Sequence, residues 1–308
     1  MTHVVLGAHG VAGRETVKSL LGRGEVVTAV GRTAPTTAPT TAGASALRAD
    51  LLNPADATRA LEGAQVAYFT VGLPYSAKVW EQQWPLLVRN VIDAAVSHGT
   101  RLVYLDNIYA YGEVEGPMTE DTPLRATTRK GRVRVDAVRA LQAAAAERNL
   151  DLTIARSADF YGPGATTSVV NPYVLARAAV GKPGTWFFDA DLPHSLTYTP
   201  DIGEALATLG TDPQARGGTW HLPSAPALTG RQMIELAGGP GAKTSVMSLG
   251  MMRFGGLFSR AARETVEMAY QWTRPSVLDS SRFEAAFGVA PTPLADGFAT
   301  TITDLRTG

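Results

Sequence analysis

The sequence predicts an α/β fold in which a parallel sheet is wrapped by helices on both faces. Three observations carry that prediction. A strand-type run, His3-Val4-Val5-Leu6, is cut by the glycine-rich turn Gly7-Ala8-His9-Gly10-Val11-Ala12-Gly13-Arg14, and apolar residues then recur at helical spacing (Val11, Val17, Leu20, Leu21). Strand-like and helix-like segments alternate through the first half of the chain, the pattern of a sheet built from crossover units. At 308 residues, 45% hydrophobic and 18% charged, the composition is that of a globular protein with room for one large α/β domain or two modest ones.

The elements follow in order. Val26–Val30 reads as the second strand and ends at Gly31-Arg32. Thr33 to Ser45, rich in Thr, Ala and Pro, reads as a surface loop. Ala46–Asp50 is a short third strand. Asn53-Pro54 opens a helix to Leu61, because proline suits a first helical turn. Val66–Val71 is the fourth strand, and a long helix runs from about Lys78 to Ser97, with Pro85 as a site for a bend. Arg101–Leu105 is the fifth strand, Lys130 to Arg148 a further helix, and Leu152–Arg156 the sixth strand. The division expected is a dinucleotide-binding unit over 1–155 and a mainly substrate-binding region over 156–308, with some segments returning to the first unit. That second region is rich in Pro, Gly and aromatic residues. It holds a strand-like Thr219–Leu222 and helical patterns at 201–210, 230–237 and 250–271.

Composition excludes several functions. Lys and Arg total 28 and Asp and Glu total 28, a balance that argues against nucleic-acid or anionic-membrane partners. Cysteine is absent, which removes disulfides, thiolate zinc sites and cysteine nucleophiles. The five histidines show no metal-ligand spacing, so no metal is expected. No apolar run approaches the ~20 residues of a membrane span, and the first strand starts too early for a leader peptide, so a cytoplasmic location is expected. The expected partner is a small-molecule substrate, with a homodimer left open.

The glycine turn carries the chemistry. A side chain there would block the backbone from a pyrophosphate, and the free N–H groups at the following helix N-terminus hold phosphate oxygens. Gly7, His9, Gly10, Val11, Ala12, Gly13 and Arg14 are therefore cofactor candidates. The second strand ends in Gly31-Arg32-Thr33 with no acid to hold an adenosine ribose. Arg32, with Arg14, is placed for a 2′-phosphate, so NADP is the expected cofactor and NAD the alternative.

The chain resembles the extended or atypical form of the short-chain dehydrogenase/reductase superfamily, with its Rossmann-type sheet. The resemblance rests on the glycine turn, on Leu105-Asp106-Asn107-Ile108-Tyr109-Ala110-Tyr111-Gly112, on Arg156-Ser157-Ala158-Asp159-Phe160-Tyr161-Gly162-Pro163-Gly164 and on Tyr198-Thr199-Pro200-Asp201-Ile202. The second and third of these are similar to segments of NAD(P)-dependent epimerases and dehydratases. The resemblance implies that Asp50-Leu51 flank an adenine and that Val71-Gly72-Leu73 lie beneath the cofactor. The family's catalysts are a Ser or Thr after the fifth strand and a Tyr followed four residues later by Lys. Here those positions fall on Asn107, Lys130 and Arg134, so the usual acid is missing.

Physical chemistry suggests replacements. Lys130 and Arg134 share a helix face at i,i+4. Arg134 can donate to ribose hydroxyls but does not titrate at neutral pH. Lys130 could serve as proton donor if desolvated beside a second cation. Asn107 can polarise a carbonyl, and Tyr109 and Tyr111 are alternative acids. The competing reading makes Lys130, Arg132 and Arg134 a solvated basic face. Tyr75, Tyr111, Asp159, Tyr161 and His194 are the candidate substrate contacts, and Asp159 would repel a substrate diphosphate. Trp186, Phe187, Phe188, Met251, Met252, Tyr270 and Trp272 are equally readable as pocket lining or plain core. The function expected is an NADP-dependent oxidoreductase reducing a small or moderately apolar carbonyl, imine or activated alkene. The alternatives are a non-catalytic NAD(P)-binding sensor or scaffold, and a sugar-nucleotide epimerase or dehydratase.

Overall fold

A computed structural model describes residues 1–33 and 43–307. In chain order, β1 (Thr2–Leu6), α1 (Val11–Gly22), β2 (Val26–Gly31), β3 (Ser45–Arg48), α2 (Pro54–Leu61), β4 (Val66–Phe69), α3 (Ala77–His98), β5 (Arg101–Asn107), α4 (Arg129–Arg148) and β6 (Leu152–Ser157) form a regular alternation. Most of the loop expected over Thr33 to Ser45 lies outside the described residues. Local chemistry sets the boundaries. Asn53 caps α2 by accepting from the Ala55 amide, with Pro54 as the first helical residue. Ser76 caps α3, which runs through Pro85 as one helix and ends at Gly99 in the left-handed conformation. Thr128 caps α4.

The sheet has seven strands in the order β11-β6-β5-β4-β1-β2-β3, every pairing parallel; β11 is Thr219–His221. Strand alternation divides the core. Val4 and Leu6 face α2, α3 and α4, while Val5 faces the opposite layer, where α1 meets α6 (Thr199–Thr211) and Phe283. The strand order reverses between β1 and β4. In an open parallel sheet that reversal opens a crevice at the carboxyl ends of the strands.

Before α6 the chain makes β7 (Asp159–Tyr161), α5 (Ala176–Ala179), β8 (Gly184–Phe187), β9 (Pro193–His194) and β10 (Leu196–Tyr198). After β11 come β12 (Leu228–Thr229), α7 (Gly230–Gly238), β13 (Thr244–Met247), α8 (Leu249–Gly255), α9 (Arg260–Glu267), α10 (Tyr270–Thr273), α11 (Ser281–Phe287) and α12 (Leu294–Thr307). The single helical pattern expected over 250–271 is three short helices, α8 to α10. Gly255 and Gly256 separate the first two, and Ser259 caps the start of α9. Trp186, Phe187, Trp272 and Met252 pack with Phe298 and Tyr161 into a separate core for this half, while Met251 lies on the surface. Among the described residues no helix is long and apolar enough to cross a membrane, and no group of three metal-ligating side chains is present.

Candidate active site

The glycine turn sits at the β1 end of the crevice, and its three glycines differ. Gly7 has φ +88°, and a Cβ there would lie 2.8 Å from the Val71 Cα at the end of β4. A Cβ at Gly13 would lie 2.4 Å from the Gly7 carbonyl oxygen, so this glycine lets helix and turn close on each other. Gly10 is unlike both. Its φ of −70° suits any residue, and a Cβ would meet only the Gly7 oxygen, at 3.4 Å. Gly10 is also the N-cap of α1, with no side chain capping the helix. The first amides of α1 thus point past an exposed position that carries no side chain. This is the cradle a pyrophosphate requires, and the residues present fit a dinucleotide.

His9 closes the turn against β2. Its ring lies over Gly31, and Nδ1 is 3.1 Å from Thr33 Oγ1. Arg32 is exposed at the end of β2. Arg48 joins it: β3 pairs Arg48 with Gly31, and its Nε donates to the Arg32 carbonyl at 3.2 Å. Both arginines are exposed at this edge of the sheet. Arg14 is turned elsewhere. Its Nη2 donates to the Gly164 carbonyl, so it ties α1 to the loop after β7 and is not part of that pair. Asp50 is exposed beside β3, and Leu51 is buried with its carbonyl accepting from Asn90. Val71, Gly72 and Leu73 line the mouth of the crevice with part of their surface open.

Lys130 and Arg134 are both buried on the inner face of α4, not on a solvated basic face. The direct partners of Lys130 are acidic, and Arg260 shares Glu264 with it, 3.9 Å from the other carboxylate oxygen. Nζ lies 2.5 Å from Glu264 and 2.7 Å from Glu267, both on α9, donates to the Glu264 carbonyl at 3.0 Å, and stands 4.6 Å above the Tyr75 ring. All three ammonium hydrogens are used. Glu264 also accepts from the Ala77 amide, so α9 is fastened to both α3 and α4. Arg134 is held by Asp106 at 2.6 Å and by the Leu105 carbonyl, its guanidinium stacked over Trp84. Its Nη1 has no hydrogen-bond partner among the described residues, so one edge remains for a ribose. Arg156 takes the other Asp106 oxygen at 3.0 Å. Burial opposes charge on both arginines, and the Asp106 carboxylate holds each above the ordinary guanidinium range.

The turn after β5 presents Asn107 and Tyr109. Asn107 Oδ1 accepts from the Tyr109 amide at 3.0 Å, which fixes the turn and leaves the Nδ2 hydrogens for a ligand. The Tyr109 ring is stacked on Trp80, and its hydroxyl faces that of Tyr75. Tyr75 is 45% exposed. Burial raises the pKa of Tyr75 and Tyr109, and of Tyr270 near them, so all three stay protonated at neutral pH. Asp159 and His194 meet, with Nε2 3.0 Å from Oδ2, and His194 stacks on Trp272 at 4.4 Å.

Three expected substrate contacts are not surface groups: His194, described above, is buried, and so are Tyr111 and Tyr161. Tyr111 is fully buried, its hydroxyl 2.5 Å from His221 Nε2 and its ring under Arg156. His221 Nδ1 lies 2.7 Å from the Asp279 carbonyl and must donate to it, so Nε2 accepts from Tyr111 and the ring is neutral; burial lowers its pKa to about 4. Tyr161 is also fully buried, against Tyr198 and Phe298.

Comparison with known proteins gives a consistent result. The model of a family described as the NAD dependent epimerase/dehydratase family matches residues 3–221. No curated protein matches the sequence. Among solved structures, UDP-glucose 4-epimerase of Thermotoga maritima, crystallised with UDP-glucose, is 17% identical with a TM-score of 0.81, covering 100% of this chain and 99% of its own. UDP-glucose 4-epimerase of Thermus thermophilus, in complex with NAD, is 19% identical with a TM-score of 0.79, over 99% of both chains. DesIV of Streptomyces venezuelae, a dTDP-glucose 4,6-dehydratase double mutant with NAD bound, is 19% identical with a TM-score of 0.79, over 99% of this chain and 97% of its own. At these identities the likeness establishes the fold.

Proposed function

Because the chain belongs to the NAD dependent epimerase/dehydratase family, we propose that it is an NADP-dependent oxidoreductase acting on a small or moderately apolar carbonyl, imine or activated alkene, with Tyr109 handling the proton. The observation that carries this reading is the exchange of roles around Lys130. The side chain at the family's acid position is saturated by Glu264 and Glu267, while the phenol of Tyr109, protonated and hydrogen-bonded to that of Tyr75, is the titratable group left nearby with no ion-pair partner among the described residues.

A bound nicotinamide would supply or accept the hydride. The rest falls to the chain. The α1 amides above Gly10 hold the pyrophosphate, Arg134 Nη1 donates to a ribose hydroxyl, and Arg32 with Arg48 meets a 2′-phosphate. Asn107 Nδ2 polarises the substrate oxygen or nitrogen, and the Tyr109 hydroxyl gives it a proton, with Tyr75 as the neighbour that can refill it. Lys130 acts as a post that fastens α9 over the cleft, which excludes water from the reacting groups.

A second reading, sugar-nucleotide epimerisation or dehydration, is favoured by one contact. Asp159 is engaged with His194, and a carboxylate so paired repels a diphosphate less than a lone one. The test is turnover of a panel of aromatic and alicyclic ketones, imines and enones with NADPH, alongside UDP- and dTDP-sugars with NAD. Tyr109→Phe is expected to cut turnover roughly 10²–10⁴-fold with cofactor affinity unchanged. Turnover of a sugar nucleotide alone supports the second reading; cofactor binding with no turnover of any kind supports a non-catalytic sensor.

A further inference from the structure

The segment that closes the cleft carries an apolar surface on its outer side. Met251, Phe254, Leu257 and Phe258, on α8 and the turn into α9, are 63%, 68%, 71% and 81% exposed. Phe254 and Phe258 meet edge to face at 5.8 Å, so the two rings form one continuous apolar surface. Four large apolar side chains at one tip are unusual for a free surface. The charge around them is one-signed. From Leu236 to Arg263 the chain has no Asp or Glu, and it has Lys243, Arg253, Arg260 and Arg263. The whole-chain balance of zero averages this away. The first acids beyond the segment, Glu264 and Glu267, point inward to Lys130.

We propose that the tip formed by residues 249–263 docks on the surface of an anionic lipid bilayer, with Phe254, Leu257 and Phe258 entering the headgroup boundary and Arg253 and Arg263 meeting lipid phosphates. An apolar tip ringed by cations is the chemistry that binds such an interface. A second copy of the chain fits poorly. A two-fold contact through this patch would set Arg253 and Arg263 against their counterparts, and the segment adds only Glu264, already shared by Lys130 and Arg260. Docking here also has a route to the cleft, because the same segment ends in the Glu264 and Glu267 contacts on Lys130 and the Glu264 contact on the Ala77 amide.

The test is flotation of the full-length protein with vesicles of phosphatidylcholine alone and with about a third phosphatidylglycerol. The protein is expected to float with the anionic vesicles, less at high salt, and to stay behind with the neutral ones. Phe254→Ser with Phe258→Ser is expected to reduce flotation at least tenfold, and Arg253→Gln about fivefold, on the order of one surface charge removed. These side chains are exposed, so dinucleotide binding and the unfolding temperature of the variants should match the wild type. Absence of flotation with anionic vesicles overturns the proposal. So does a dimer in light scattering that the Phe254→Ser, Phe258→Ser variant abolishes, which would assign the patch to a second copy. Flotation of both variants at wild-type level overturns it as well.

Discussion

Replacing Asp106 with Asn removes one charge from a buried triad and leaves two arginines facing each other. Asp106, Arg134 and Arg156 are all buried, and the carboxylate is the acid that holds both guanidinium groups. Stripping the shared partner from buried charges costs about 3–5 kcal/mol. For 308 residues, at roughly 2.1 cal/mol/K per residue, the unfolding entropy is about 0.65 kcal/mol/K, so Asp106→Asn should lower the melting temperature by about 5–8 °C. Arg156→Met is the control. It leaves a balanced Asp106–Arg134 pair and removes the stacking of Arg156 on Tyr111 at 4.4 Å, a loss of about 1–2 kcal/mol. Differential scanning calorimetry measures both. An Asp106→Asn shift below about 1 °C, or an Arg156→Met shift larger than that of Asp106→Asn, would refute the reasoning.

Three further outcomes are expected. Arg32→Asp or Arg48→Ala should lower the NADP-to-NAD affinity ratio, by about 10–100-fold for the first, since a charge-assisted contact is worth roughly 1.5–3 kcal/mol; calorimetric titration of both cofactors reads it, and an unchanged ratio places the 2′-phosphate elsewhere. Lys130→Met leaves Glu264 and Glu267 close together without their cation, so α9 should loosen; faster amide exchange over 260–267 is the readout, and unchanged exchange removes the fastening role. His221, whose pKa is lowered to about 4 in the fold, stays neutral while the unfolded chain binds a proton below about 6.5. Its contribution is therefore complete above about pH 6.5 and is lost as pH falls toward 4, by roughly 2 kcal/mol at pH 5. His221→Gln should flatten that acid limb, leaving the part due to His3, whose pKa burial also lowers; an identical limb would contradict the assignment.

The first half of the fold was legible because its signals are local. The Gly7–Gly13 turn, the Asn53-Pro54 cap and the alternation of strand and helix are each read within a dozen residues. The C-terminal half is built from strands of two to four residues, such as β9 at Pro193–His194, too short to show a period. The site was legible in its residue types but not in its pairings. Lys130 finds Glu267 across 137 positions and Arg134 finds Asp106 across 28, distances over which sequence spacing says nothing. Arg48 was missed because its place beside Arg32 depends on the register of β3 on β2. Tyr111 ends the turn after β5 and Tyr161 ends β7, places where ligand contacts often lie, but their burial against His221 and Phe298 depends on residues more than 100 positions away.

The dinucleotide seat is tested most directly at Gly10, the one glycine of the turn whose Cβ would meet nothing closer than 3.4 Å. Calorimetric titration of NADP into the wild type and into Gly10→Ala, each checked for its unfolding temperature, is the measurement. The expected result is saturable binding to the wild type and an affinity at least tenfold lower in Gly10→Ala, with both proteins unfolding within about 3 °C of each other, the cost of an alanine at this N-cap. Equal affinities would contradict a pyrophosphate seated over Gly10.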